Sequence, residues 1–152
     1  MPLTLVHAGE VPVLDHLWSG IYSVSQNRSI EDPNTVSGYY LASTEAKLIL
    51  EKTRIPARIG TRFGIGYVFR GKKGETIDYR VVWRYPSAGL TNPTTGKTVT
   101  EATRELSAQI DEPRCSGHVF SYEWGLVPGN YVVEIWVGDQ KLAGQFFEVY
   151  RP

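Results

Sequence analysis

The chain has little cysteine, little histidine and no surplus of either charge. Of its 152 residues only Cys115 is a cysteine, so the chain has no internal disulfide and is not a disulfide scaffold. Its 16 basic and 16 acidic residues balance, which removes the attraction that nonspecific nucleic-acid binders normally show. No stretch approaches the roughly 18 apolar residues of a membrane-spanning helix. We therefore expect no nucleic-acid partner and no membrane span.

The start of the chain sets the expected compartment. Residues 1–14, MPLTLVHAGEVPVL, lack the basic region and the continuous apolar region of a secretory signal peptide. The chain as given is therefore expected to be cytoplasmic by default. A leader removed before residue 1 would instead make the protein periplasmic or secreted.

Basic side chains are concentrated in one part of the chain. Residues 47–84 contain ten basic side chains and three acidic ones, whereas both ends lean acidic. An anionic partner is one explanation of this distribution. Alternating solvated charges on strands are the other explanation, and we prefer it.

Bulky side chains recur at every second position in the centre and near the C terminus. In residues 62–70, Phe63, Ile65, Tyr67 and Phe69 share one phase. Alternation of this kind is typical of a strand with one buried face. The same pattern predicts strands over residues 76–86, 117–124 and 130–138.

Two further segments have weaker patterns. Residues 45–55 are expected to form a strand, which Pro56 ends or moves to a sheet edge. Residues 97–110 have two interpretations. We prefer a polar edge strand, but the spacing of Leu106 and Ile110 also fits a short helix.

Turns rather than helices separate the predicted strands. Residues 71–74 and 138–139 contain the glycines that hairpin loops favour, so both are predicted to be hairpin links. Seven to eight short strands joined in this way predict an all-β fold, an immunoglobulin-like antiparallel β-sandwich. Trp83 and Tyr131 lie where such domains often have a core tryptophan and a corner tyrosine.

The length of the chain indicates one domain over residues 1–152. We assign the sandwich to residues 45–150. Residues 1–44 are predicted to form an N-terminal extension that packs on the sandwich, because they contain apolar side chains such as Trp18 and Ile21 that need burial.

Three segments carry a family resemblance. They are RIPARIGTRFGIGYVFRG at residues 54–71, WRYPSAGLTNPTTGK at 83–97 and FSYEWGLVPGNYVVEIWVGDQKLAGQFFEV at 120–149. Together they resemble the bacterial family known as domain of unknown function 3859, over most of residues 17–150. The resemblance implies an immunoglobulin-like fold and no known activity, and it implies no catalytic residues.

No motif for catalysis, metal or cofactor stands out. His7, His16 and His118 lie far apart and show no zinc-site spacing. The glycines of residues 60–66 alternate with core positions and precede no helix pattern, which argues against phosphate binding. Cys115 is interpreted as an unreactive thiol beside a turn. We predict no metal, no cofactor and no enzymatic activity.

One surface is a candidate binding face. If the strands of Trp83 and Trp136 are neighbours in a sheet, their outward sides adjoin. The residues of this surface, called the sheet face below, are Arg80, Val82, Arg84, Val132, Glu134 and Trp136, with Phe146 and Tyr150 from the last strand. Aromatic and arginine side chains of this kind dominate protein interfaces. Either the sheet face binds a partner, or residues 1–44 cover it.

Two functions from different classes follow. Our preferred hypothesis is a non-enzymatic module that associates with a protein partner or a second copy of itself, through the sheet face or by strand addition at an exposed edge. The alternative is a small-ligand or carbohydrate-binding module in which Trp18, Tyr39 or Tyr40 stacks on the ligand. A concave aromatic cleft would favour the alternative. An enzyme would require an acid, a base and a nucleophile that converge in a pocket.

Overall fold

Two mainly antiparallel sheets face each other across an apolar core. The computed structural model describes residues 11–152, apart from the side chains of Ser43 and Thr44. Its strands are β1 (Val13–Ser23), β2 (Gln26–Glu31), β3 (Tyr39–Thr44), β4 (Lys47–Glu51), β5 (Arg54–Pro56), β6 (Arg62–Arg70), β7 (Thr76–Arg84), β8 (Leu90–Thr91), β9 (Thr98–Val99), β10 (Glu101–Gln109), β11 (Arg114–Val119), β12 (Gly129–Val137) and β13 (Gln140–Tyr150). Within these residues the one helix is a 3₁₀ turn at Glu123–Gly125, and none has the length and apolar character needed to cross a membrane.

Nine of the strands form the sandwich. One sheet has the strand order β11-β6-β1-β4 and the other has the order β10-β7-β12-β13-β5. Neighbouring strands are antiparallel except β13 and β5, which are parallel. The remaining strands form two small hairpins, β2–β3 and β8–β9. The predicted all-β sandwich is confirmed, with nine strands in the two sheets instead of seven or eight.

One of the additional strands comes from the predicted N-terminal extension. β1 lies between β6 and β4, and its pairing with β6 runs from Val13 opposite Arg70 to Ile21 opposite Phe63. Ile21 packs against the core. Among residues 11–44, it is the β2–β3 hairpin that lies outside the two sheets.

The core follows the alternation in the sequence. The four residues of β6 in the predicted inward phase are buried, and so are the inward residues of the facing sheet. The β6 residues are Phe63, Ile65, Tyr67 and Phe69, and the facing residues are Tyr79, Val81, Trp83, Tyr131, Val133, Ile135, Phe147 and Val149. The ring of Phe63 lies at the centre, 5.1 Å from the Phe147 ring and 5.7 Å from the Trp83 ring. Each such side chain contributes about 1.5–3 kcal/mol when it is fully buried.

The polar ends of the buried aromatic residues find partners. Trp83 Nε1 donates a hydrogen bond to Ser116 Oγ at 3.0 Å. Tyr131 donates its hydroxyl proton to the carbonyl oxygen of Val127 at 2.8 Å, which is the contact of a tyrosine corner. The core tryptophan and the corner tyrosine predicted from the sequence are therefore both present.

The strand predicted over residues 45–55 is wrong as a single element. It divides into β4 and β5, which lie at edges of different sheets. Between them, Lys52 donates its backbone N–H to Ser19 in one sheet, whereas the carbonyl of Thr53 accepts from Glu148 in the other. Pro56 ends β5 at the edge of its sheet, where its missing N–H costs no ladder hydrogen bond.

The strand predicted over residues 117–124 is displaced. β11 starts earlier, at Arg114, and ends at Val119, opposite Arg62, the first residue of β6. Beyond Phe120 the chain turns through the 3₁₀ helix. Tyr122 and Trp124 are therefore not part of the strand.

The remaining predictions had mixed outcomes. Residues 101–109 form the edge strand β10, so the strand interpretation of 97–110 is confirmed. Residues 138–139 connect the paired strands β12 and β13, and Gly138 has a φ of 58°, as a tight hairpin loop requires. The hairpin predicted at residues 71–74 is wrong, because β6 and β7 belong to different sheets and this link crosses between them.

Candidate functional site

The structure brings the central residues of the sheet face together. β7 and β12 are neighbours, and their register places Val132 opposite Arg84, Glu134 opposite Val82, and Trp136 opposite Arg80. The inward residues of the same strands are buried in the core, so these six side chains share the outer surface of the five-stranded sheet.

Hydrogen-bonded charges cover much of the sheet face. Glu134 Oε1 accepts hydrogen bonds from Arg84 Nε and Trp136 Nε1, each at 3.1 Å. The guanidinium carbon of Arg80 lies 5.4 Å from the centre of the Trp136 ring. Burial opposes ionisation of Glu134, but the hydrogen bonds from Arg84 and Trp136 outweigh burial and lower its pKa. Because Val82 is buried beneath this network, the sheet face is amphipathic and not a continuous apolar patch.

The last strand extends the sheet face at its margin. Phe146 lies opposite Val132 and is 49% exposed. Tyr150 lies farther along β13, where the guanidinium carbon of Arg54 stands 3.9 Å from the centre of its ring. The described part of the N-terminal extension lies elsewhere, since β1 is in the opposite sheet and the β2–β3 hairpin contacts another edge.

Trp18 does not join the other predicted stacking residues, Tyr39 and Tyr40. It lies on the outer surface of the four-stranded sheet, where its indole rests on Gly66 so closely that a Cβ there would be 2.3 Å from the ring. Its ring is also 5.1 Å from the Tyr22 ring. The indole of Trp18 thus packs on its own sheet, whereas the two tyrosines lie on the hairpin.

Tyr39 and Tyr40 line a cleft at the open edge of the sandwich. The edge strands β10 and β11 belong to different sheets, and the β2–β3 hairpin lies over the gap between them. The cleft has a volume of about 190 Å³. Its aromatic lining consists of Tyr39, Tyr40, Trp83, Tyr85, Phe120, Tyr122 and Trp124. A concave aromatic cleft is what the ligand-binding alternative requires.

His118 lies in the wall of this cleft among aromatic rings. Its ring centre is 5.3 Å from that of Phe120, 5.5 Å from Tyr131 and 5.6 Å from Tyr85. Burial lowers the pKa of His118 to about 4. The imidazole is therefore neutral at pH 7, and a neutral imidazole offers one hydrogen-bond donor and one acceptor.

Arg104 brings a positive charge to the cleft. It lies on β10, and its guanidinium carbon is 3.6 Å from the centre of the Tyr40 ring. Burial lowers the pKa of Arg104, and the nearby groups of Tyr40, Asp32 and Tyr85 oppose that effect only partly. Its Nε is buried and has no hydrogen-bond partner among the described residues. A buried donor left in this way costs about 1–3 kcal/mol.

Tyr122 and Trp124 form the rim of the cleft. Their rings stack with centres 4.9 Å apart and planes 11° from parallel. The 3₁₀ turn at Glu123–Gly125 turns both side chains toward the hairpin. On a continued strand, side chains two residues apart would also project in one direction, but they would not turn toward the hairpin. Tyr122 is 46% exposed, so its ring borders solvent at the cleft mouth.

The hairpin over the cleft is tied down at both ends. At its tip, Lys97 Nζ donates hydrogen bonds to the carbonyl oxygens of Pro33 and Thr35, and Asn92 Nδ2 donates to that of Val36 at 3.2 Å. Near its base, Arg62 donates to Asn27 Oδ1 at 2.7 Å. The cleft is thus a built feature of the fold and does not depend on a free loop.

The sequence patterns did not single out Arg104, Tyr85 and Trp124 as members of one site. The signal for Arg104 is its position. It stands between Ala102 and Leu106 in the inward phase of β10, where an apolar residue is expected. The position of Trp124 follows from a turn that has no alternating pattern, so period-two analysis assigns it to a strand.

Comparison with known proteins decides the family. The family model described as Domain of unknown function (DUF3859) matches residues 10–149, which is most of the chain. The chain belongs to this family. Among solved structures, an immunoglobulin-like protein from Pseudomonas aeruginosa is similar, with 19% sequence identity and a TM-score of 0.63 over 92% of this chain and 97% of that chain. At this identity the likeness shows the fold, and it confirms the predicted immunoglobulin-like architecture.

A second solved structure is similar over a shorter part of the chain. It is the alkylpurine DNA glycosylase AlkC of Pseudomonas fluorescens bound to DNA containing an abasic site analogue, with 15% identity over 66% of this chain and 28% of that chain. Its TM-score of 0.39 supports no conclusion about fold or function. No curated protein matches the chain significantly.

The two described histidines of this DUF3859 member lie at different places. His118 lies in the cleft and His16 lies on β1 in the four-stranded sheet, whereas His7 is outside the described residues. Within residues 11–152 no three His, Cys, Asp or Glu side chains come close enough together to hold a metal ion.

The hydrogen bond between His16 and Ser19 does not produce an activated nucleophile. His16 Nε2 lies 2.5 Å from Ser19 Oγ, and Ser19 donates its only hydroxyl proton to Gln145 Oε1 at 2.9 Å. Ser19 Oγ therefore accepts a hydrogen bond from His16 Nε2, which is the reverse of general-base activation. Cys115 is also a poor nucleophile, because burial raises the pKa of its thiol.

Proposed function

We propose that this domain binds a small ligand in the cleft beneath the β2–β3 hairpin. The observation that carries the proposal is the combination of an aromatic lining with one buried polar donor, Arg104 Nε, that has no partner among the described residues. Ligand sites are typically concave, mostly apolar and supplied with a few polar groups that fix the orientation of the ligand.

The size of the cleft narrows the class of ligand. Its volume of about 190 Å³ is below the roughly 300–1,000 Å³ of pockets that hold drug-sized ligands. A single ring or a short chain fits such a space, and an oligosaccharide does not. Stacking on Trp124 or Tyr40 would supply the apolar part of the binding energy.

The test is a fragment screen by thermal unfolding and protein-detected NMR, on wild type, Trp124→Ala and the control Phe146→Ala. Phe146 is an exposed aromatic residue that does not line the cleft, so its variant controls for the loss of an aromatic ring. We expect fragments that stabilise the wild type to shift cleft amides and to lose their effect in Trp124→Ala only. Fragments that act equally on all three proteins, or a panel with no binder, would contradict the proposal.

A second candidate function is self-association through the sheet face. It is favoured by the exposure of Phe146 beside Val132, at the margin of a surface that carries both Arg84 and Glu134. A two-fold contact places the same surface on both partners, and a surface with both charges can be complementary to itself. The edge strand β4 offers another route to the same assembly, because Ile49 is 63% exposed there.

Sedimentation velocity tests the self-association. If the sheet face is the interface, the wild type sediments as a dimer and Trp136→Arg as a monomer, with Leu17→Arg on the other sheet as the matched control. If Ile49→Lys alone produces the monomer, the edge of β4 is the interface instead. A monomeric wild type at all concentrations would exclude both forms of self-association.

A further inference from the structure

Arg104 occupies a position where β10 otherwise faces the interior. Ala102, Leu106 and Ala108 share its phase along the strand, and its partner across the sheet is Val81, which is buried. A charged side chain at such a position loses part of its contact with water. It therefore needs an ion pair or hydrogen bonds as compensation.

Four other arginines of the domain have an ion pair as compensation, and Arg104 has none among the described residues. Each of the four arginines in ion pairs lies within 3.5 Å of a carboxylate oxygen: Arg54, Arg70, Arg84 and Arg114. Over residues 11–152 no carboxylate forms such a pair with Arg104, and no acceptor meets its buried Nε. The guanidinium of Arg104 is therefore a cation without a carboxylate partner among the described residues.

The charged side chains that line the cleft have one sign, and an acidic group, Asp32, acts on Arg104 from outside the lining. The described lining of the cleft contains two arginines, Arg62 and Arg104, and no aspartate or glutamate. Arg62 donates to Asn27, which has no charge of its own. A concave site with low-dielectric walls and charges of one sign concentrates ions of the opposite sign.

The contact with Tyr40 orients the guanidinium of Arg104. The ring covers one face of the planar group at 3.6 Å, and the N–H groups of a stacked guanidinium point sideways, in the plane of the group. The N–H edge of a guanidinium matches the two oxygens of a carboxylate or a phosphate, and such paired hydrogen bonds are among the strongest in proteins.

We infer that the ligand of the cleft is an organic oxyanion, a carboxylate or a phosphate carried on a single ring or short chain, whose oxygens accept hydrogen bonds from Arg104. This inference rests on the proposed function and narrows it. The aromatic rim receives the apolar part of the molecule, and the neutral His118 is available as a further hydrogen-bond donor or acceptor in the wall.

A purely structural role for Arg104 has different consequences. Inward-pointing charges on an edge strand discourage pairing with another sheet, and β10 is an edge strand. If that is the role of Arg104, its removal promotes self-association, and anions have no preference for the cleft.

The first part of the test compares matched probes by protein-detected NMR titration of the wild type. The probes are benzoate, phenyl phosphate and benzyl alcohol, which share a ring and differ in charge. We expect an anion to shift the amides of Tyr40, Arg104 and His118, and benzyl alcohol to bind at least about tenfold more weakly, as expected for loss of a charged hydrogen bond. The tighter of the two anions identifies the carboxylate or the phosphate as the source.

The second part removes the donor. Arg104→Gln is expected to abolish the preference for the anion over benzyl alcohol, whereas Arg104→Lys keeps the charge but not the paired hydrogen bonds and is expected to retain part of it. Arg80→Gln, on the sheet face, is the matched control and should leave all titrations unchanged. Thermal unfolding checks that the variants fold. If Arg104→Gln does not fold, the titrations of Arg104→Lys decide whether Arg104 binds the anion.

The outcomes are distinguishable. If benzoate, phenyl phosphate and benzyl alcohol bind the cleft with equal affinity, the inference is overturned and the proposed function stands. If none of the probes shifts a cleft amide, both are overturned. If Arg104→Gln forms dimers and the wild type binds no anion, Arg104 has the structural role.

Discussion

The guanidinium carbon of Arg104 lies 3.6 Å from the centre of the Tyr40 ring. This contact joins β10, at the edge of the five-stranded sheet, to β3 in the hairpin that covers the cleft. Lys97 and Asn92 hold the tip of the same hairpin through its backbone carbonyl groups. The roof of the cleft is therefore attached to the sandwich by polar donors and one cation–π contact.

Replacing Tyr40 with alanine is expected to loosen the hairpin without unfolding the sandwich. A cation–π contact contributes about 0.5–2 kcal/mol, depending on how far it is desolvated. Hydrogen exchange of the amides in β2 and β3 should therefore become faster, while exchange in β7 changes little. Tyr39→Ala is the matched control, because Tyr39 is a half-exposed neighbour on the same strand. Equal acceleration in both variants would show that the stacking on Arg104 does not hold the hairpin.

Protonation of His118 is expected to destabilise the fold in acid. Burial lowers its pKa from the ordinary 6.5 to about 4. Between these pH values the unfolded chain binds a proton that the folded chain does not, so the stability due to His118 is complete above pH 6.5 and is lost as the pH falls toward 4. The loss is about 3 kcal/mol, from 1.36 kcal/mol for each pH unit of the shift.

The measurement for His118 is the free energy of unfolding in urea at pH 7 and pH 4, for wild type and His118→Phe. Phenylalanine does not titrate and suits a site enclosed by aromatic rings. Carboxyl groups titrate in both proteins, so the difference between the two pH dependences isolates the histidine. Parallel curves for the two proteins would mean that His118 is not held neutral.

The core was predictable from the sequence because one short-range rule governs it. The period of two in β6, β7 and β12 assigns Phe63, Trp83 and Ile135 to the interior, and all three are buried. The same rule, with the neighbouring positions of β7 and β12, brings Arg80 and Trp136 together on the outer surface. These features depend on local alternation and on the usual strand order of the fold.

The cleft was not predictable, because it depends on where each strand ends along its neighbour, and the alternation of side chains does not give these ends. β11 ends at Val119, opposite the start of β6, and beyond Phe120 the chain turns, so that Tyr122 and Trp124 lie toward the hairpin. The period of two also gives no reason for a charge in the inward phase of β10. The place of Arg104 in the cleft follows only from the position of the hairpin, whose Tyr40 lies beside it.

Tyr131→Phe tests the tyrosine corner. The substitution removes the hydroxyl that donates to the carbonyl oxygen of Val127 at 2.8 Å and leaves the buried ring in place. We expect the free energy of unfolding to fall by about 1 kcal/mol, the usual net value of an intramolecular hydrogen bond. Tyr122→Phe, at an exposed position, is the control and should change stability little. If Tyr131→Phe is as stable as Tyr122→Phe, water replaces the hydrogen bond to Val127.

Gly66→Ala tests whether Trp18 is locked onto the outer surface of the four-stranded sheet. A Cβ at Gly66 would lie 2.3 Å from the indole of Trp18, so the ring has to move off the strand. Overpacking of this kind typically costs about 1–3 kcal/mol, and displacement of the indole should also shift the tryptophan fluorescence. Gly144→Ala is the matched control in β13, where the nearest atom to the new Cβ is the mobile Lys141 Nζ at 3.9 Å. If both alanine variants unfold at the same denaturant concentration as wild type, the indole is free to leave the sheet, and Trp18 returns as a candidate stacking residue.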